Sequence, residues 1–376
     1  MSIPHHMETP NIFNYATSEL SQDAILAYIL TWAHPKFKDS NPELNNLGLN
    51  LLKELIKSAC KGINKSDLSF DLELPDSYFV GVQKHRLDVY VKVTDQIFLF
   101  IEDKTNTFER TDQIEEYKKS VEKHFENSKE GSFDHILPVY LKTGNESFVK
   151  RPKEGICGYF YRSDLLKVLD EHKVDNCIIK DFKRHLEKWE EDTKKFSKIP
   201  VFDENNDQNW SWAAREGYYM KLGEWLRNSH ENNRTFTCDW GYVANPSGGL
   251  LAFWWYERKC KRIPSTLYLQ INDVKRIQVR VGGIFSRDDK GNKITTPDLY
   301  KLLDLLKQVS KKPGYKPLKV VKPKRFSPGQ SAAVAFIDFD ENVETYLATN
   351  SVGALDLDKT KERLNLIMHF MDDTCS

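Results

Sequence analysis

The chain has 376 residues, 40% hydrophobic and 29% charged, with 55 basic and 55 acidic side chains, so its formal net charge is zero. Such a composition excludes a disordered or low-complexity protein, and no apolar run reaches the roughly 18 residues of a membrane span. The length exceeds one typical core and predicts two domains, while a neutral total leaves nucleic-acid binding open because clustering matters more than the sum. The opening MSIPHHMETP lacks a basic segment followed by an apolar core, so no secretory signal is expected. Six scattered cysteines without a C-x-x-C pair show no zinc or iron–sulfur spacing and read as the reduced thiols of a cytoplasmic protein.

The first helix is expected within 11–33, where Thr17, Ser18 and Ser21 offer caps ahead of a mostly apolar stretch. Glu19 and Asp23, four apart, share one face of it. Leu47, Leu51, Leu55, Ile56 and Ala59 recur at helical spacing and predict a second helix. Alternation then marks 68–74 as a half-buried strand. Two apolar runs, 87–93 and 97–101, joined by Thr94-Asp95-Gln96, read as a hairpin. A helix over 112–125 places Gln113 and Tyr117 on one face. Strands at 133–141 and 158–162 and helices at 163–169 and 174–195 complete a first domain, 1–196. Residues 197–209, with Pro200 and a cluster of Asp and Asn, are expected as a linker.

In 210–376 the composition shifts, with six of the eight tryptophans falling between Trp210 and Trp255. Tryptophans so grouped are expected in the core rather than as a base-stacking platform. A helix at 215–226 precedes a hairpin over 238–256 that turns through Asn-Pro-Ser-Gly-Gly. Strands at 266–271, 276–281 and 332–339 and helices at 297–309 and 359–371 follow. This half reads as α+β with a mainly antiparallel sheet.

The chemistry concentrates in 86–117. In the first hairpin strand, alternation sends Leu87, Val89, Val91 and Val93 to one face and Asp88 to the other, with Arg86, Tyr90 and Lys92. In the second, Glu102 and Lys104 share a face and Asp103 points the opposite way. An acid on each of two adjacent strands, with a lysine beside one, can hold a hard divalent cation. It also keeps a positive charge next to the attacking water or a phosphate. Charge ending so apolar a strand is costly unless it is used or solvated.

Asp88, then Glu102-Asp103-Lys104, then Gln113-Ile-Glu-Glu-Tyr117 resemble the signature of the PD-(D/E)XK nuclease superfamily, and within it the RecB-like branch. There an acid is followed by E-x-K and by Q-x-x-x-Y on the next helix. The resemblance covers about 11–165 and implies a restriction-endonuclease-like α/β core, a mixed sheet flanked by helices in the order αβββαβ. It implies an Mg2+- or Mn2+-dependent phosphodiesterase. Asp88 and Glu102 would be metal ligands, with the Asp103 backbone carbonyl as a third. Lys104 would orient the water and steady the phosphate, and Gln113 and Tyr117 would line the site and contact substrate. Relatives often add an acid on the first core helix; Glu19 is the first candidate and Asp23 the second. Both equally fit as first-turn acids favoured by the helix dipole. Leu87 stands where many relatives have proline before the first acid.

Lys84, His85 and Arg86 lie just before Asp88, where they could meet backbone phosphate, and Arg110, Lys118 and Lys119 read as solvated side chains that on a site rim would attract substrate. The stretch 307–325 carries Lys307, Lys311, Lys312, Lys316, Lys319, Lys322, Lys324 and Arg325 and no acid. Interrupted by Pro313, Pro317 and Pro323, it is expected as an exposed loop. With Lys259, Lys261 and Arg262 it forms either a basic patch for nucleic acid or a solvated face. The functional expectation is a metal-dependent nuclease, its substrate DNA rather than RNA on family grounds, in defence or repair in bacteria or phages. Two alternatives are a non-catalytic nucleic-acid binder and an effector whose C-terminal half senses a ligand or forms a homodimer.

Overall fold

The computed structural model describes residues 11–14, 19–65, 73–84, 86–105, 112–126, 133–147, 152–205, 207–230, 237–243, 249–261, 265–272, 276–282, 294–327, 331–339 and 345–376, without the side chains of residues 14, 19, 126 and 265. It divides into two compact units, one of residues 1–146 and 150–191, the other of residues 147–149 and 192–376.

In the first unit α1 (Glu19–Thr31) and α2 (Pro42–Gly62) precede β1 (Phe79–Lys84), β2 (Leu87–Lys92) and β3 (Ile97–Lys104). Then come α3 (Gln113–Glu126), β4 (His135–Lys142), β5 (Gly158–Tyr161), α4 (Arg162–Glu171) and α5 (Cys177–Lys195). The five-stranded sheet runs β1-β2-β3-β4-β5. Its first three strands are antiparallel, and β3, β4 and β5 are parallel. This mixed α/β arrangement is compatible with the nuclease core expected from the sequence. All of β3 is buried, charged end included. Its odd-numbered residues Leu99 and Ile101 join Val89 and Val91 in a core with α1 and α2. Phe98 and Phe100 pack on the other face with Ile114, Tyr117 and Val121 of α3. Alternation of side chains along an extended strand is the cause of this two-sided burial.

Two expectations are corrected here. The first strand is Phe79–Lys84 rather than 68–74. Residues 68–72 lie outside the described residues, and Glu73 and Leu74 are not in a strand. β1 escapes a hydrophobicity reading because it is an edge strand, with Phe79 55% and Val82 45% exposed. Leu87 does not follow Val89, Val91 and Val93; it packs with Phe98, Phe100 and Tyr117 instead. The left-handed backbone of Arg86 (φ 67°) breaks the alternation just ahead of it.

Helix α2 rests directly on β5. A Cβ on Gly158 would stand 2.4 Å from the Ala59 nitrogen, and one on Gly62 2.0 Å from the Cys157 carbonyl oxygen. Gly158→Ala is therefore expected to lower unfolding free energy by about 1–3 kcal/mol, as overpacking does. Urea denaturation of the two proteins checks this; coincident midpoints would show that the helix can move away freely.

The second unit contains α6 (Trp212–Ser229), β6 (Cys238–Val243), β7 (Leu250–Cys260), β8 (Ser265–Ile271) and β9 (Ile277–Val281). α7 (Thr296–Ser310), β10 (Leu318–Val321), β11 (Ala332–Phe339) and α8 (Leu357–Cys375) follow. The sheet order is β10-β11-β9-β8-β7-β6, antiparallel throughout. Trp210, Trp240 and Trp255 are buried in its core with Tyr218, Tyr219 and the apolar faces of α7 and α8. The segment expected as a linker contributes Val201, fully buried in this core. The basic stretch is not simply a loop: it ends α7, makes a short 3-10 turn at Pro313–Tyr315, and forms the edge strand β10. Buried Tyr315 and Leu318 anchor it between the lysines. No helix among the described residues is long and apolar enough to cross a membrane.

Candidate functional site

The hairpin of β2 and β3 places Asp88 directly beside the end of β3, where its Oδ2 accepts from the Asp103 backbone N–H at 2.9 Å. The Lys104 Nζ sits 2.5 Å from Glu102 Oε1 and 3.9 Å from Asp88 Oδ2. It also donates to the Asp103 carbonyl oxygen at 3.1 Å. Three hard oxygens therefore face one cationic group at the end of a buried strand. They are the same three that the resemblance nominates as metal ligands. Glu102 is 1% exposed, so its charge is held by what it touches rather than by solvent.

Helix α3 completes this face. Gln113, in its first turn, donates from Nε2 to Glu102 Oε1 at 2.6 Å and to the Tyr117 hydroxyl at 2.9 Å. The four-residue separation puts both side chains on one helical face. The Tyr117 oxygen accepts there, leaving its own hydrogen to be donated to another group.

The opposite face of β3 is equally organised. Asp103, 1% exposed, points toward α1, where Gln22 Nε2 donates to its Oδ1. Gln22 Oε1 in turn accepts from the Thr143 hydroxyl at 2.6 Å. The peptide of Asp103, whose N–H meets Asp88 and whose carbonyl meets Lys104, is thus fixed from behind by a helix and by the segment after β4. The parallel register sets Lys142 beside Lys104, and the buried Lys142 donates to the Thr105 carbonyl at 2.9 Å.

Of the two helical acids, Asp23 is buried and accepts from Gln83 Nε2 at 2.8 Å; the same amide lies 3.4 Å from Asp88 Oδ1. Gln83 reaches both through a left-handed backbone (φ 51°) inside an edge strand. The side chain of Glu19 lies outside the described residues, as do His85 and Arg110. Lys84, Arg86 and Lys119 are exposed and Lys118 half-buried.

No three His, Cys, Asp or Glu side chains converge as a metal cage among the described residues. Two carboxylates and a main-chain carbonyl form a smaller, all-oxygen set. That set suits a hard cation which keeps several waters, the usual behaviour of magnesium. The Lys104 ammonium resting against all three oxygens shows that the position favours positive charge. The residues present therefore fit a divalent ion.

A family model described as PD-(D/E)XK nuclease superfamily matches residues 10–232. The chain belongs to the PD-(D/E)XK nuclease superfamily. No curated protein and no solved structure matches it.

For this PD-(D/E)XK chain the sequence named Asp88, Glu102, Asp103, Lys104, Gln113 and Tyr117, and the fold brings all six together. It did not name Gln22, Gln83, Lys142 or Thr143. Gln22 is one residue before Asp23, yet nothing local shows that it faces β3. Because Gln22 supplies a donor to a buried carboxylate, Gln22→Leu is expected to cost about 1–3 kcal/mol in stability. It should also slow single-turnover cleavage about tenfold by loosening the Asp103 peptide, with little change in KM. An unchanged rate would reduce Gln22 to packing.

Proposed function

We propose that the first unit is a divalent-metal-dependent phosphodiesterase acting on nucleic acid, with DNA the preferred substrate on family grounds. Residues 1–196 carry the reaction in this reading, and 210–376 form an accessory domain. The observation that supports it most is the meeting of Asp88 Oδ2, Glu102 Oε1 and the Asp103 carbonyl on the ammonium of Lys104. Those three oxygens would hold Mg2+ or Mn2+, which when bound supplies Lewis-acid charge at the scissile phosphate.

The chain's own groups do the rest. Lys104 supplies a fixed cation against the negative charge that grows on the phosphate in the transition state. Gln113 keeps Glu102 in one orientation by its hydrogen bond. Tyr117, having accepted from Gln113, donates its hydroxyl hydrogen to a phosphate oxygen. Gln83 holds Asp88 from the side away from Asp103. Defence against foreign DNA, or repair, is the biological setting that this chemistry serves.

The deciding experiment incubates the purified chain with linear, circular and single-stranded DNA and with RNA, in Mg2+ or Mn2+, beside Asp88→Ala. Metal-dependent cleavage is expected, and its loss in the variant. Cleavage surviving the substitution would sink the site assignment; no cleavage of any substrate would sink the enzymatic reading.

A further inference from the structure

The basic tract of the second unit lies beyond residue 232, where the family match ends. It holds Lys307, Lys311, Lys312, Lys316, Lys319, Lys322, Lys324 and Arg325 within nineteen residues that contain no aspartate or glutamate. All eight are exposed. Lys312 is taken by Asp373 at 2.8 Å. The other seven have no acidic partner among the described residues. Asp338 lies across the sheet from Lys319, but its carboxylate is engaged by Arg276 at 3.4 Å.

Edge strands are often guarded by a lysine against pairing with other chains. That need accounts for Lys319, the only lysine inside β10. It does not account for charges on the last turn of α7, the 3-10 turn and the stretch after β10. Like charges at this density repel one another and lower stability unless a polyanion neutralises them.

One of the cations is also held in place. The Lys322 Nζ donates to the Tyr300 hydroxyl at 2.9 Å and lies 4.6 Å from the Tyr300 ring and 5.4 Å from that of Phe326. The two rings meet edge to face, 5.0 Å between centroids. A lysine usually spends rotamer freedom when it binds; this one is already ordered while its residue remains exposed. Lys259 and Lys261 belong to a different part of the sheet, because β8, β9 and β11 stand between β7 and β10. Arg262 lies outside the described residues.

We propose that the end of α7, β10 and the turn after it form a phosphate-backbone binding surface for nucleic acid, separate in its residues from the catalytic constellation. The choice of nucleic acid over other polyanions rests on the nuclease reading; the existence of the surface does not. Its contacts are ionic and read no sequence.

The test uses the full chain in EDTA, which prevents metal-dependent cleavage, and follows anisotropy of labelled duplex DNA, single-stranded DNA and RNA across a salt series. Lys319→Gln/Lys322→Gln/Lys324→Gln is compared with the parent, and Lys307→Gln/Lys311→Gln/Lys316→Gln serves as a second, independent variant. Each triple variant is expected to weaken binding about 10- to 100-fold near 0.1 M salt. It should also flatten the slope of log K against log salt by about two to three. Unchanged affinity and slope in both would overturn the surface. So would binding of phosphatidylserine vesicles through these lysines without binding of nucleic acid. Parent protein that binds but never cleaves in Mg2+ would sink the nuclease reading and leave the surface standing. Normal cleavage with both triple variants binding as the parent does would do the reverse.

Discussion

Lys104→Met is expected to lower the single-turnover cleavage rate by about three orders of magnitude, the scale on which one preorganised electrostatic group at a reacting centre acts. The ammonium lies within 3.9 Å of Glu102 Oε1, Asp88 Oδ2 and the Asp103 carbonyl together, and its side chain is only 11% exposed. The same substitution has a second signature in metal-free buffer. It leaves Glu102 and Asp88 facing one another without the lysine between them. Breaking a buried ion pair by removing one partner costs about 3–5 kcal/mol. Thermal melting in EDTA should therefore fall well below that of the parent. Addition of Mg2+ should raise the variant's melting temperature more than the parent's, because ligand binding to the folded state stabilises by mass action. Lys104→Arg should not restore the rate, since a longer, planar guanidinium spreads its charge over a fork and cannot place a compact point charge where the three oxygens converge. Equal rates for parent and Lys104→Met would remove the lysine from the reaction.

Arg162→Met is expected to cost about 3–5 kcal/mol of stability, corresponding to a drop of roughly 6–20 °C in the melting of the first unit. Arg162 is the first residue of α4 and is buried. Its Nε and Nη2 grip the Glu190 carboxylate at 2.8 and 2.7 Å, and Nη2 also donates to Asn145 Oδ1 at 2.9 Å. Its Nη1 donates to the Thr143 carbonyl at 2.5 Å. One guanidinium thus joins the start of α4, the chain after β4 and helix α5. Thr143 is also the residue whose hydroxyl holds Gln22, so cleavage should slow as well, by less than for Lys104. Differential scanning calorimetry with a parallel rate measurement separates the two effects. A melting temperature within 2 °C of the parent's would refute the assigned role.

What the sequence made legible follows from how locally each signal is written. The hairpin stood out because apolar alternation and a short polar connection lie within eighteen residues, 87–104. Gln113 and Tyr117 were visible because a helix brings residues four apart onto one face. β1 was missed because an edge strand buries too little to need an apolar face, and β10 because two anchoring side chains hide among lysines. Gln22 and Thr143 are 121 positions apart and Gln22 and Asp103 are 81 apart. Contacts over such distances leave no local periodicity. Gln83 depends on a left-handed main-chain turn that no common glycine or asparagine announces.

The ammonium lying among the site's oxygens also acts as a built-in counter-ion. Asp88 and Glu102 bring two carboxylates to this site, and the Lys104 ammonium offsets part of their charge from within. A divalent cation held by the same oxygens would supply further positive charge against an anionic phosphate. The site is self-screened: its counter-charge belongs to the same strand as the buried acid Glu102 and needs no ion from solvent to be in place.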